Sequence, residues 1–153
     1  MKHYKDESNK IYAYESDGSQ DAFIKEGLVP ISDEDLAAMI APTTEQLLSQ
    51  LTAARKEQEQ QGVVINGVRY AGDPGNRQAL QEAIAFMDYA GLTEFESWKD
   101  SDNQFHADQP LADVADAYQA IGAHRAELIA TEGEYAAQIT GGTFTDLSLV
   151  TWP

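Results

Sequence analysis

Apolar and polar residues alternate in short bursts over residues 1–31 and recur at helical spacing over most of the remainder, which predicts an α+β chain. Tyr4, then Ile11, Tyr12 and Tyr14, are β-favouring residues on either side of the turn-forming Glu7-Ser8-Asn9. A second turn at Ser16-Asp17-Gly18 leads into a strand over Ala22-Phe23-Ile24-Lys25. Ser32 is a good N-cap, the acids Asp33, Glu34 and Asp35 suit the positive end of a helix, and Ile31 can staple onto Leu36. Pro42 stops that helix near Ala41. Residues 1–42 thus form a small N-terminal module of strands with one short helix.

Thr43, with Gln46 three positions on, opens a second helix over residues 43–61. Leu47, Leu48, Leu51 and Ala54 give its first half a narrow apolar stripe, whereas Arg55 to Gln61 is polar on every side. A helix end without an apolar face projects into solvent or bridges two modules, so 43–61 is expected to be a protease-sensitive helical linker. Gly62 ends it.

Residues 62–139 make a second module. In Val63-Val64-Ile65-Asn66-Gly67-Val68-Arg69-Tyr70, two β-rich runs flank Asn-Gly, the pair that accepts the positive φ angles of a type I′ hairpin. Asp73-Pro74-Gly75 turns the chain, and Asn76 caps a helix that buries Leu80, Ala83, Ile84 and Met87 and ends at Gly91. Phe95, Trp98 and Phe105 belong to a second hairpin turning at Asp100-Ser101-Asp102-Asn103. Pro110 suits the first position of a long helix with the stripe Leu111, Val114, Tyr118, Ile121, Leu128, Tyr135 and Ile139, interrupted by Arg125 and Glu132. Gly122 and Gly133 either weaken this helix or let it pack closely. Gly141-Gly142 break it, leaving residues 140–153 as a β-rich strand tail.

The chain's 153 residues carry 10 Lys plus Arg against 26 Asp plus Glu, a formal charge of −16. Such a surface repels phosphate backbones and anionic headgroups, so neither nucleic acid nor a membrane is the expected partner. The absence of cysteine removes disulfides, thiolate metal sites and a thiol nucleophile. The N-terminus has no apolar run behind its charges, which argues against a secretory signal and for folding in a cytosol.

Candidate chemistry is thin. His3, His106 and His124 have no second ligand at metal spacing. Asp100-Ser101-Asp102-Asn103 begins like a calcium loop but lacks the turn glycine and the later bidentate glutamate, which favours a plain hairpin turn. Asp113 and Asp116, near Asp108, fit a solvated helix face better than a catalytic carboxylate pair. No catalytic residue, cofactor site or metal site is assigned, and an enzyme is not expected. The residues singled out for binding are Phe144, Leu147, Leu149, Val150 and Trp152, which lie beyond the double glycine. They could add as a strand to a partner or be buried against a second copy of the chain. The competing arrangement folds them onto the chain's own core.

The order of elements over 62–139 resembles a domain of unknown function that recurs in tail fibre and fibre-assembly genes of tailed phages. The residues that carry it are Gly62 to Tyr70, the Arg77-headed helix, Trp98 with its acidic turn, and the Ala-rich helix ending near Ile139. The first module looks like the opening of small phage tail fibre assembly proteins, in Tyr4-Lys5-Asp6, Ile11-Tyr12-Ala13-Tyr14 and the helix start Pro30 to Asp35. Trp152-Pro153 is a common ending there. One departure is Asn103 after Asp102, where Asp-Gly is usual; Asn also tolerates left-handed backbone.

The resemblance implies a chaperone that binds the C-terminal region of a trimeric tail fibre and promotes its folding and trimerisation. It would act in the host cytoplasm and in some cases stay on the virion tail. A permanent structural subunit of the tail or fibre is the alternative, separated by stable presence in purified particles. An acidic inhibitor imitating DNA is a further one, which would want carboxylates along one stripe where this sequence scatters them.

Overall fold

A computed structural model describes residues 1–153 and has the mixed α+β composition expected. The chain divides into two units, Met1–Thr43 and Thr44–Pro153.

In the first unit, β1 (Lys2–Lys5) is the centre of an antiparallel sheet flanked by β2 (Ile11–Tyr14) and β3 (Val29–Ile31). The β1–β2 turn is built by one carboxylate. Asp6 Oδ1 accepts from the Ser8 amide at 2.9 Å, the Ser8 hydroxyl at 2.6 Å and the Lys10 amide at 3.0 Å, while Oδ2 accepts from the Tyr12 hydroxyl at 3.0 Å. These bonds, the Ser8 hydroxyl's above all, hold the Asp6 carboxyl down at about 2. Asn9 takes the left-handed turn position, with φ 62°.

The expected strand over 22–25 is instead a 3-10 turn, Asp21–Phe23, and Phe23 is exposed. The third strand is Val29–Ile31, which pairs with β1 opposite His3, Tyr4 and Lys5. Pro30 can sit there because an edge strand has one side without ladder bonds. Helix α1 (Asp33–Ile40) starts on the Ser32 cap, whose Oγ accepts from the Asp35 amide at 3.0 Å. No residue of the first unit is buried.

The second unit contains α2 (Thr44–Gln61), the hairpin β4–β5 (Val63–Ile65, Val68–Tyr70), α3 (Pro74–Ala90), the hairpin β6–β7 (Glu94–Lys99, Phe105–Pro110) and α4 (Leu111–Thr140). Asn66 and Gly67 both have positive φ, 50° and 84°, as a type I′ turn requires. Asn66 Nδ2 also donates to Asp113 Oδ2 at 3.0 Å, which ties the turn to α4. The α3 cap is Asp73, with Pro74 in the first turn, and Asn76 lies inside the helix with its amide donating to Asp73 Oδ1 at 3.1 Å. This corrects the assignment of the cap to Asn76: Asp73 is the residue in extended backbone whose carboxylate can reach the first free amides. Asn103 occupies the left-handed place in the second hairpin, with φ 65°. Asp100 stitches that turn, accepting from the amides of Asp102 and Gln104 and pairing with His106 Nε2 at 2.8 Å. The His106 contact is the main reason its carboxyl titrates below the ordinary range.

Two apolar clusters lie along α4. Val114, Ala117 and Ile121 pack with Val68, Tyr70 and Leu80 at one end. There the buried Tyr70 hydroxyl, pushed up to about 12 by burial and then by Asp113 and Asp100, accepts from Gln109 Nε2 at 3.1 Å. At the other end Ile139 packs with Leu47 and Leu51 of α2, so α2 and α4 run antiparallel.

The linker expectation for 43–61 is overturned by this packing. Helix α2 belongs to the second unit, and its polar half is held by charge: Arg55 and Glu59 are buried, Arg55 pairs with Glu59 and Glu132, and Glu59 also meets Arg125. The two interruptions in the α4 stripe face the polar half of α2. The tail likewise belongs to this unit and is no strand: residues 147–149 form a 3-10 turn that Asp146 caps through the Ser148 amide. Gly122 and Gly133 face open space, so neither serves close packing.

Candidate partner-binding surface

Most of the tail residues singled out for binding are used internally. Phe144, Leu147, Val150 and Trp152 pack against the Leu47–Leu51–Ile139 cluster, and the Phe144 ring lies 4.8 Å from that of Tyr135. The Thr151 amide donates to the Tyr135 hydroxyl at 3.3 Å. A strand was expected because the residues are β-favouring; with no strand beside them they satisfy the same hydrophobicity by covering the α2–α4 end. Leu149 is the exception, 65% exposed.

A different apolar surface lies at the C-terminal end of α3. This helix buries Leu80 and Met87 on one side. At 3.6 residues per turn, Tyr89 is carried to the opposite side and Phe86 to the flank beside it, as an i, i+3 pair. They are 62% and 93% exposed, and Leu92, just past the cap, is 48% exposed. Gly91 fixes this end: its left-handed φ of 67° ends the helix, and the Leu92 amide turns back to the Met87 carbonyl at 3.0 Å. Two outward aromatics on a rigid helix end are residue types enriched in protein interfaces, and the exposed leucine beside them extends the apolar patch. The sequence carried the signal, since an amphipathic helix with Phe and Tyr outside its apolar arc has no internal use for them. In sequence the apolar tail competes with it as a binding segment.

Some of the remaining candidates are taken up by structural contacts. His106 clasps Asp100, whereas His3 Nδ1 is buried without a hydrogen-bond partner, 4.0 Å from Asp33. Asp113 serves Asn66 and Gln109. No group of three or more His, Asp or Glu is arranged to hold a metal ion. No helix is long and apolar enough to cross a membrane.

Compared with known proteins, residues 42–150 match the family described as Domain of unknown function (DUF4376). No curated protein and no solved structure matches the chain.

Proposed function

This chain belongs to the DUF4376 family over residues 42–150, and from that footing we propose that it is a phage tail fibre assembly chaperone, gripping the C-terminal region of a trimeric fibre during its folding. The observation that carries the reading is the outward pair Phe86 and Tyr89 on α3, a surface the second unit does not use itself. Fibre chains expose strand edges and apolar surface until all three are in register, and such surfaces aggregate when unprotected. A small partner that covers them with an aromatic patch, while its own charge of −16 repels further copies of the complex, keeps the fibre soluble. The resemblance to fibre-assembly genes supplies the partner, and the host cytoplasm is where it acts.

Co-expression with a trimeric tail fibre, beginning with one encoded beside this gene, provides the test. The chaperone reading expects soluble trimers only when both are present, co-elution through the fibre's C-terminal region, and loss of both effects in Phe86→Ala/Tyr89→Ala. Fibre that trimerises equally well alone and never binds the chain would sink it. Stable retention in purified particles would favour the permanent-subunit alternative.

A further inference from the structure

A groove of about 340 Å³ lies between α2, the start of α3 and the middle of α4, lined by Arg55, Lys56, Glu59, Asp73, Arg77 and Arg125 among others. Four of the chain's 10 basic residues stand here, facing two lining carboxylates, on a protein whose overall charge is −16. The Glu59 carboxylate, 8% exposed, gathers three guanidiniums: Arg55 through Nη1, Arg125 Nε at 3.2 Å and Arg77 Nη1 at 3.6 Å.

One carboxylate cannot satisfy three guanidiniums, each with five N–H donors in a planar fork. Glu132 takes the remaining side of Arg55, at 2.5 Å from Nε. Arg77 Nη1 also donates to the Gly72 carbonyl at 2.5 Å, which fixes its head, but Nε and Nη2 have no protein partner. Arg125 Nε lies 3.2 Å from Glu59 Oε1, no hydrogen bond engages its terminal nitrogens, and its side chain is 44% exposed. Lys56 stands at the same groove with no partner for its ammonium. The N-terminus of α3 adds positive potential, although its amides at Gly75 and Asn76 are already capped by Asp73. The result is a pair of guanidiniums, Arg77 and Arg125, drawn to one buried carboxylate with donors left over, and an exposed ammonium, Lys56, beside them.

We propose that this groove binds an oxyanion, a carboxylate or phosphate group, held by the open donors of Arg77 and Arg125 with Lys56 beside them. Guanidinium forks match both anions in charge and in bidentate geometry, and a partly enclosed groove strengthens such bonds relative to open water. The proposal rests on the groove alone, and stands or falls separately from the identity of any protein partner.

Two-dimensional ¹H–¹⁵N NMR of the full chain, including the arginine Nε–H signals, tests it. Sodium phosphate and sodium acetate are titrated separately, with sodium chloride holding ionic strength constant. The expected result is saturable movement of the Arg77 and Arg125 Nε–H signals with at least one of the two anions. Affinity should fall about tenfold in Arg125→Gln and detectably in Lys56→Gln. Both residues are exposed, and an unchanged amide spectrum elsewhere certifies the fold of each variant. Saturation by phosphate alone assigns a phosphate site, by acetate alone a carboxylate site, and by both a general oxyanion site. Movement that never saturates with either anion, or that is the same in wild type and both variants, overturns the proposal.

Discussion

Arg55 Nε lies 2.5 Å from Glu132 Oε2, joining α2 to α4 at the level where both helices interrupt their apolar stripes. Arg55 is 9% exposed, so its charge is tolerated only because Glu59 and Glu132 flank it. Removing Arg55 leaves Glu132 without its cation, while Glu59 keeps Arg77 and Arg125. Arg55→Ala is therefore expected to cost about 3 kcal/mol in urea unfolding, the low end for breaking a buried pair. A loss below about 1 kcal/mol would mean that water, and not these carboxylates, solvates Arg55. The same packing makes residues 54–62 resistant to limited proteolysis, contrary to the behaviour of a linker.

Two pairs of glycines should respond in opposite directions to alanine. A Cβ at Gly72 would sit 2.0 Å from the Glu59 carbonyl oxygen, and one at Gly62 1.9 Å from that of Tyr70, because the end of α2 and the end of β5 touch backbone to backbone. Neither backbone can yield cheaply, so Gly72→Ala is expected to destabilise by about 3 kcal/mol or more. Gly122 and Gly133 have nothing within 4 Å. Alanine at either stabilises α4 by roughly 0.5–1 kcal/mol. Thermal unfolding of the four single variants reads both effects.

The tail is part of the core. Trp152→Ala is expected to cost about 3 kcal/mol, the low end for an aromatic truncation because the ring is only partly buried. Deleting residues 143–153 should uncover Leu47, Leu51 and Ile139 and sharply lower the melting temperature. A deletion variant that melts like the full chain would restore the detachable binding tail expected from sequence.

Asp6 gives the first unit an acid dependence. Its carboxyl is held at about 2 in the folded turn against an ordinary 3.8, so folding favours the charged form. That contribution is complete above the unfolded value and disappears as pH falls from about 4 toward 2. In Asp6→Asn the first unit should lose this dependence, and side-chain carboxyl NMR on the native chain should find Asp6 still ionised at pH 3. A midpoint near 3.8 would show that the Ser8, Lys10 and Tyr12 bonds do not persist in solution.

What the sequence determined is what forms within a few residues. Asn66-Gly67 carries the positive φ of its hairpin whatever lies beyond, Ser32 caps α1 through an amide three residues away, and Pro42 bars that helix from continuing. Each is local backbone chemistry, and so are the α+β class and most element bounds. Tertiary structure decided what the polar and apolar leftovers are for. Arg55 to Gln61 looks solvated because its partners Glu132 and Arg125 are far along the chain, and charge on a helix face does not announce whether water or a distant carboxylate will neutralise it. Phe144 to Trp152 looks available for the same reason, until the α2–α4 pairing creates the apolar end that it covers. Phe86 and Tyr89 were visible as aromatics off the buried arc. Only the finished packing, with Leu80 and Met87 turned inward, leaves them on the surface.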